Sequence, residues 1–284
     1  MENQIQTPHK RRVRYKGKYP KKFEEKYKEL QPEKYKDTIE HVIQKGNTPA
    51  GMHISIMVKE IIDFLNIQPG EIGFDATLGY GGHTKEMLKC LNGKGHIYAT
   101  DVDPEESAKT KKRLAEQGFG EDMLTVKLQN FCTIDEIAKE VGGFDFILAD
   151  LGVSSMQIDN PKRGFSFKVD GPLDLRLNQD AGISAAERLD TITRDELAGM
   201  LYENSDEPYC EELAKAITDE IRRGNCIDTT TKLRQVIEKT LDFLPEKEKK
   251  DTIKKTCQRT FQALRIDVNR EFEVLYEFME KLPD

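Results

Sequence analysis

Apolar residues recur along this chain with two periods, one typical of strands and the other of helices. Helical spacing is found in stretches such as Thr84–Leu91 and Pro104–Ala115, and short apolar runs lie between such stretches. Short runs bounded by turn residues predict buried strands. The four predicted strands are Ile72–Ala76, His96–Thr100, Leu124–Leu128 and Phe144–Ala149. Strands that alternate with helices indicate a parallel, doubly wound α/β sheet.

The alternation of strand and helix stops after Asp150. Residues 151–182 are rich in Gly, Pro, Ser and Asp, which predicts loops, and a helical pattern begins at about residue 183. One apolar helix face spans 233–244 and another spans 261–279. We therefore predict a helical module inserted after the fourth strand, and a last helix that returns to the sheet.

The composition is that of a globular protein with a heavily charged surface. Of 284 residues, 37% are hydrophobic and 33% are charged, and no apolar stretch approaches the roughly 20 residues that span a bilayer. We expect no membrane span, and the polar N-terminus argues against a secretory signal. The five cysteines are scattered without a CxxC pair, so neither a metal site nor a disulfide framework is expected. Reduced thiols in the cytoplasm are the default.

Charge is distributed unevenly between the N-terminal arm and the rest of the chain. Residues 1–46 hold 13 Lys and Arg against 7 Asp and Glu, a net charge of +6, although the whole chain carries −7. Eight basic residues and no acid lie between Lys10 and Lys22, interleaved with aromatic residues such as Tyr15. Such an arm is either a solvated tail or a segment that grips an RNA backbone and stacks on its bases. Charge alone leaves both interpretations open.

A glycine-rich turn follows the first predicted strand. The segment from Asp75 to Thr84 is DATLGYGGHT, and Asp101 ends the second strand 20 residues after Gly81. Glycines let the backbone approach a ligand closely, and the following helix N-terminus offers unpaired N–H groups. An acid at the second strand end can accept hydrogen bonds from ribose hydroxyls. The turn by itself is a weak indication, but turn and acid together favour a nucleoside cofactor.

The residues of this turn favour S-adenosylmethionine over a nicotinamide dinucleotide. The dinucleotide fingerprint G-x-G-x-x-G starting at Gly79 would need glycine at position 84, where Thr84 stands. The turn has no Arg or Lys to neutralise a pyrophosphate, and the acid Asp75 suits the positive charges of S-adenosylmethionine. We therefore predict that cofactor, with Asp101 at its ribose.

Residues after the other strands extend the predicted site. Asp150 ends the fourth strand, and doubly wound sheets bind ligands at the topological switch point, which the first and fourth strands can flank. Phe131, after the third strand, either covers one face of the adenine or belongs to the core. Asp103 followed by Pro104 predicts a helix cap and a first turn. Asp101 therefore keeps the ribose role.

The motifs of this chain resemble one family in their order and spacing. They are DATLGYGGHT, TDVDP, NF, DLGVSS-x-QID, RGFSF, GPLDLR and RTFQALRIDVN, from about His53 to the C-terminus. The resemblance is to the bacterial S-adenosylmethionine-dependent methyltransferases that modify N4 of a cytidine in the decoding region of 16S ribosomal RNA. It implies a class I, Rossmann-like methyltransferase core at residues 48–155 and 264–284, and a helical insertion for substrate recognition at residues 156–263. A basic arm at residues 1–47 precedes them.

The resemblance also implies site residues, each present here at the matching motif position. Asp150 is the predicted catalytic residue, which would polarise the cytosine amine and accept its proton. The predicted cofactor contacts are Gly81, Gly82, His83, Asp101, Phe131, Asp150 and Gln157. The predicted substrate contacts are Arg163, Asp174 and Arg176. Alternatively, both arginines hold the loop by pairing with acids, the candidates being Asp159, Asp170 and Asp174.

The implied partner is small-subunit ribosomal RNA or the assembling 30S subunit, but the chain departs from the family pattern. Basic family positions are Glu211 and Glu212 here, so we expect a phosphate contact to be lost and the arm to replace it. The family continues past Asp284 with further strands, without which the fourth strand would be an open edge. We expect either a homodimer that covers this edge or a truncated, catalytically weak RNA-binding relative as the alternative to an active enzyme.

Overall fold

The computed structural model describes residues 55–283, and within them a parallel four-stranded sheet. The basic arm and His53 lie outside the described residues. The strands are β1 Ile72–Asp75, β2 His96–Asp101, β3 Leu124–Leu128 and β4 Phe146–Leu148. All four predicted strands are therefore confirmed, although β4 is shorter than its apolar run.

The strand order β3-β2-β1-β4 places the switch point between β1 and β4. Phe74 of β1 is level with Tyr98 of β2 on one side and with Ile147 of β4 on the other. The chain moves outward from β1 through β2 to β3 and then crosses back to β4. Ligands of such sheets bind at the carboxyl ends of the strands beside this reversal. Within residues 55–283, β4 pairs with β1 alone.

Helices cover the sheet and form a second packed region. The core helices in the first half are α1 Val58–Leu65, α2 Gly82–Leu91, α3 Pro104–Glu116 and α4 Ile134–Val141. A short helix α5 Ser155–Asp159 then leads into the helical region. The remaining helices are α6 Ala185–Thr191, α7 Arg194–Ser205, α8 Cys210–Arg222, α9 Thr230–Thr240, α10 Glu246–Asn269 and α11 Glu271–Lys281. Within residues 55–283, each helix is too short or too polar to cross a membrane.

Opposite faces of the sheet belong to different buried clusters. Ile97 and Ala99 of β2 pack with Met87 and Leu88 of α2 on one face. Alternate strand residues point the other way, and Phe74 packs there with α4 and with residues of α11. The buried members of that second face are Phe74, Ala76, Ile134, Ile137 and Phe278. The predicted return of the last helix to the sheet is therefore confirmed.

A third cluster joins the helices that follow α5. Its fully buried members include Leu197, Leu201, Leu213, Ile217, Leu233, Ile237 and Leu264. Contacts join residues from Ser55 onward into one compact unit, so the domain boundaries inferred from the sequence stay predictions.

The prediction of one continuous apolar helix face over 261–279 was wrong. Arg270 has φ +51, a left-handed conformation that ends α10 and starts α11 in a new direction. Beyond the break, Phe272 and Met279 are 44% and 54% exposed, whereas Phe278 is buried. The periodicity missed the break because no Gly or Pro marks it, and a single residue in the left-handed region is enough to redirect a helix.

Candidate active site

The end of β1 is braced by a buried carboxylate. Asp75 Oδ1 accepts a hydrogen bond from the Thr77 N–H at 3.0 Å, and Oδ2 accepts one from Thr84 Oγ1 at 2.5 Å. Burial raises the pKa of Asp75, and the Thr84 hydrogen bond acts against that rise. These two hydrogen bonds fix the turn between β1 and α2. Because Asp75 is only 1% exposed, the structure does not support the expectation that its carboxylate faces a charged ligand.

The glycines after β1 are required by the shape of this turn. Gly81 precedes α2 with φ +75, a region that side-chain-bearing residues rarely adopt. A Cβ at Gly81 would also stand 2.7 Å from Thr110 Cγ2, and one at Gly82 would collide with Ser55 Oγ. Gly81 supplies no side-chain cap to the positive end of α2.

Asp101, at the end of β2, is held by two backbone donors. Oδ2 accepts the Gly79 N–H at 2.8 Å, and Oδ1 accepts the Asp103 N–H at 2.9 Å. Burial raises the pKa of Asp101, while these two hydrogen bonds act to lower it. A carboxylate has about four acceptor positions, so Asp101 retains the capacity to accept from ribose hydroxyls.

Phe131 begins a short 3₁₀ helix after β3. Its ring lies 5.1 Å from that of Phe278, edge to face, and the side chain is half-buried. It therefore belongs to the second sheet face and also reaches solvent. Its contact with adenine stays a prediction.

Asp150 follows β4 and is linked to the glycine turn. Its backbone N–H donates to Thr77 Oγ1 at 2.8 Å, and its side chain is 40% exposed. Asp150 Oδ2 lies 3.5 Å from Nδ1 of His83, whose Nε2 lies 2.9 Å from the carbonyl oxygen of Ile56. The His83 ring is thus buried between these two acceptors at the start of α2.

Gln157 has both ends of its side-chain amide engaged. Oε1 accepts the Ser154 N–H at 2.9 Å in a capping box for α5, and Nε2 donates to Asp103 Oδ2 at 3.1 Å. Asp103 itself caps α3 through Glu105 and Glu106, as its sequence position before Pro104 predicts. The cofactor contact of Gln157 stays a prediction, and its observed role is to join α5 to the β2 end.

Both arginines predicted to contact substrate are paired with carboxylates. Arg163 is 4% exposed and pairs with Asp103, which is not among the three loop acids considered from the sequence. Arg176 Nε and NH2 each donate to Asp174 at 2.8 Å, and NH1 donates to the Gly182 carbonyl at 3.1 Å. Burial acts to raise the pKa of Asp174, but the Arg176 hydrogen bonds outweigh it, and the net shift is downward. This geometry favours the loop-holding alternative, and direct RNA contact stays a prediction.

Three contacts in the site were not predicted from the sequence. They are the Asp103–Arg163 ion pair, the Thr77–Asp150 hydrogen bond and the His83–Asp150 contact. Each joins residues that are distant in sequence, so only the folded chain brings them together. Among residues 55–283, no group of three or more His, Cys, Asp or Glu side chains is arranged to hold a metal ion.

A parallel sheet with a glycine turn after β1, an acid ending β2 and a polar loop after β4 defines an α/β fold of the class I methyltransferase type. The family model of the MraW methylase family matches residues 50–284. The chain therefore belongs to this family of methyltransferases, and the resemblance found in the motifs is confirmed.

Curated relatives agree with this assignment. A protein of Agathobacter rectalis named ribosomal RNA small subunit methyltransferase H 1 is 86% identical over 97% of this chain and 79% of its own length. A protein of the same name from Lachnoclostridium phytofermentans is 70% identical over 100% of this chain and 77% of its own length. One solved methyltransferase structure from Galdieria sulphuraria aligns over 76% of this chain and 82% of its own with 13% identity, but its TM-score of 0.31 supports no conclusion.

Proposed function

We propose that this chain transfers a methyl group from S-adenosylmethionine to N4 of a cytidine in the decoding region of small-subunit ribosomal RNA. The names of the relatives support the RNA class, and the motif resemblance supports the base and its position. The observation that carries the proposal is Asp150 at the switch point, whose backbone N–H donates to Thr77 of the glycine turn and whose carboxylate is 40% exposed. It brings a proton acceptor next to the turn that would hold the methyl donor.

The residues around the turn fit S-adenosylmethionine. Asp101 retains acceptor capacity for the ribose, the N-terminus of α2 is free of a side-chain cap, and Phe131 offers a half-buried ring for the adenine. The Cβ clash at Gly81 is the reason that only glycine allows this close backbone path. When bound, the cofactor would supply an electrophilic methyl group on its sulfonium sulfur.

Asp150 would act on the amine of the target base. Cytosine N4 is a poor nucleophile because its lone pair is delocalised into the ring, so it must be held in line with the methyl carbon. As the N4–carbon bond forms and the carbon–sulfur bond breaks, one N4 proton must leave. Asp150 accepts a hydrogen bond from the amine, increases its electron density and takes that proton. The base has to leave its stack to reach this position.

Cofactor binding is tested first, by calorimetric titration of the chain with S-adenosylmethionine and S-adenosylhomocysteine. We expect binding that Asp101→Ala weakens by about 10-fold or more, because a hydrogen bond to a charged group is lost. Thermal melting of both proteins serves as the control for folding. A folded wild type that binds RNA but neither cofactor would reject the proposal and favour the RNA-binding alternative.

Methyl transfer is tested on small-subunit RNA and on assembled subunits, followed by nucleoside analysis for N4-methylcytidine. Asp150→Ala should lower turnover by about 10²- to 10⁴-fold, the usual contribution of a general base, while RNA binding survives. The matched control is Asp145→Ala at the other end of the same strand, where the carboxylate accepts the Ile72 N–H. Near-normal turnover of Asp150→Ala would reject the catalytic role, and a different methylated base would reject the proposed target. The homodimer and the cytoplasmic location stay predictions.

A further inference from the structure

A buried ion pair lies next to the predicted cofactor acid and takes no part in the transfer step. Arg163 NH2 is 2.5 Å from Asp103 Oδ2, and the two residues are 4% and 0% exposed. They are 60 positions apart, one after β2 and the other in the 3₁₀ turn Pro161–Arg163. Burying two charges is costly, and removing one partner leaves the other uncompensated. The value of such a pair lies in the geometry that it fixes.

The two carboxylate oxygens of Asp103 have separate partners. Oδ1 accepts the backbone N–H groups of Glu105 and Glu106, both at 3.1 Å, and so caps α3. Oδ2 accepts from Arg163 and from Gln157 Nε2. Oδ1 therefore binds the backbone of α3, and Oδ2 binds two side chains from the segment that follows β4.

The backbone of Asp103 extends this connection to the predicted ribose acid. Its N–H donates to Asp101 Oδ1 at 2.9 Å, and Asp101 Oδ2 accepts the Gly79 N–H. A continuous chain of hydrogen bonds thus runs from the glycine turn through Asp101 and Asp103 to Arg163.

Arg163 carries the connection into the segment of residues 160–177, which we call the target loop. NH1 of Arg163 donates to the Leu177 carbonyl at 2.7 Å, and the Arg163 carbonyl accepts the Leu175 N–H at 3.0 Å. Arg176, between those two leucines, forms its two-point contact with Asp174. Arg163, together with Asn269 of α10, therefore holds the segment that carries the Asp174–Arg176 pair.

We propose that Asp103 and Arg163 are positioning residues that hold the target loop in register with the cofactor acid Asp101. The inference rests on the proposed function, because it assigns the target loop to the RNA side of the reaction. It predicts an effect on the rate of transfer with little effect on cofactor affinity. The reason is that Asp101 is held by backbone N–H groups, which a side-chain change at Asp103 leaves in place.

Asp103→Asn separates the positioning role from the capping role. Asn is as good a helix cap as Asp, so the oxygen can continue to accept from Glu105 and Glu106. Its NH2 group would then face the N–H donors of Arg163 and Gln157, and no bond can form there. Arg163→Gln removes the other partner, and Arg163→Lys keeps the charge but replaces the two guanidinium nitrogens that reach Asp103 and the Leu177 carbonyl by a single ammonium nitrogen.

The experiment compares the full chain and these variants in cofactor titration and in methylation of small-subunit RNA. We expect each of Asp103→Asn and Arg163→Gln to lower kcat by about 10- to 100-fold, as small misplacements of reacting groups do. The Kd for S-adenosylhomocysteine should stay within about threefold, because the hydrogen bonds of Asp101 are kept. A larger change in Kd would be expected if a hydrogen bond to a charged group were lost. The double variant should be no slower than the slower single variant, because both changes break the same link.

The Arg188–Asp267 pair provides the matched control. It joins α6 to α10 in the helical region, with Arg188 Nε 2.9 Å from Asp267 Oδ2. Asp267→Asn should leave kcat within about twofold, because this half-buried pair is no part of the link from Asp101 to Leu177. An equal loss of kcat in this control, or effects of Asp103→Asn and Arg163→Gln that multiply, would overturn the inference.

Hydrogen exchange measures local opening of the chain and does not depend on enzyme activity. In Asp103→Asn and in Arg163→Lys, amides of the target loop should exchange at least about tenfold faster, as expected when a local opening becomes easier. Amides of α8 should keep their wild-type rates. Unchanged exchange in the target loop would overturn the inference. A wild type without cofactor binding or methylation would reject the proposed function instead, so the two failures are distinguishable.

Discussion

Replacing Thr84 by Val tests whether the turn after β1 depends on a charge-assisted hydrogen bond. Val has nearly the same shape, but it cannot donate to Asp75 Oδ2, which Thr84 Oγ1 reaches at 2.5 Å. Thr84 is 0% exposed, so water cannot replace the lost donor. We expect a loss of up to about 1–3 kcal/mol in the free energy of unfolding, because Val leaves an oxygen of the buried Asp75 without its hydrogen-bond donor.

This loss should depend on pH in a defined direction. Burial raises the pKa of Asp75 above 3.8 and the Thr84 hydrogen bond opposes the rise, so the variant has the higher folded-state pKa. A carboxyl with a raised folded pKa binds more protons when folded, and stability falls as pH rises from its unfolded pKa to its folded pKa. That fall continues to higher pH in the variant. The difference from wild type is therefore smallest at acidic pH and complete above the variant's folded pKa.

Urea and thermal unfolding from about pH 4 to pH 8 measure this difference. Where the loss is complete, the melting temperature should drop by roughly 2–12 °C, given about 2–4 °C per kcal/mol for chains of this size. The matched control is Thr100→Val, because Thr100 is equally buried and donates to the neutral Ala76 carbonyl at 3.0 Å. Its loss should not vary with pH. An equal loss for Thr84→Val at all pH values would refute the reasoning.

Three further predictions follow from packing and burial. Gly81→Ala should weaken S-adenosylhomocysteine binding in calorimetry by about 10-fold or more. Ala is strained at this positive φ and its Cβ would collide with Thr110, so the turn must shift away from its position beside the cofactor. Burial raises the pKa of Cys257 to about 12, so iodoacetamide should label the exposed Cys226 in the folded protein and reach Cys257 only after unfolding, as mass spectrometry can show. Phe278→Ala should cost about 3–5 kcal/mol in urea unfolding, the usual loss for a buried Phe, and a loss under 1 kcal/mol would mean that α11 does not anchor the sheet.

The local features of the site followed from sequence because each is encoded within a few residues. The glycine turn, the Asp103 cap and the acid at the end of β2 are short-range patterns, and a strand ending at Asp101 places them in predictable order. The parallel sheet was predicted for the same reason, since each strand has its own apolar run.

The partners of polar side chains were not predictable in the same way. Arg163 could reach several acids in its own loop, and sequence gives no reason to prefer Asp103, 60 residues earlier. The left-handed Arg270 was missed because its conformation is imposed by tertiary contacts. Neighbouring Asn269 donates to the Leu175 carbonyl and accepts the Leu177 N–H, which fixes the chain at that point.

These late contacts have a consequence for how the chain folds during synthesis. Asn269 closes the target loop by binding Leu177 and Leu175, which lie 92 and 94 residues earlier in the sequence. Phe278 of α11 packs on the sheet face that contains Phe74. A growing chain therefore presents the apolar face of Phe74 and Ile137 to solvent until the last helix emerges. Exposed apolar surface of this kind invites association with other chains. We expect ribosome-bound intermediates that end before α11 to need a chaperone, and the target loop to be closed only after Asn269 has emerged.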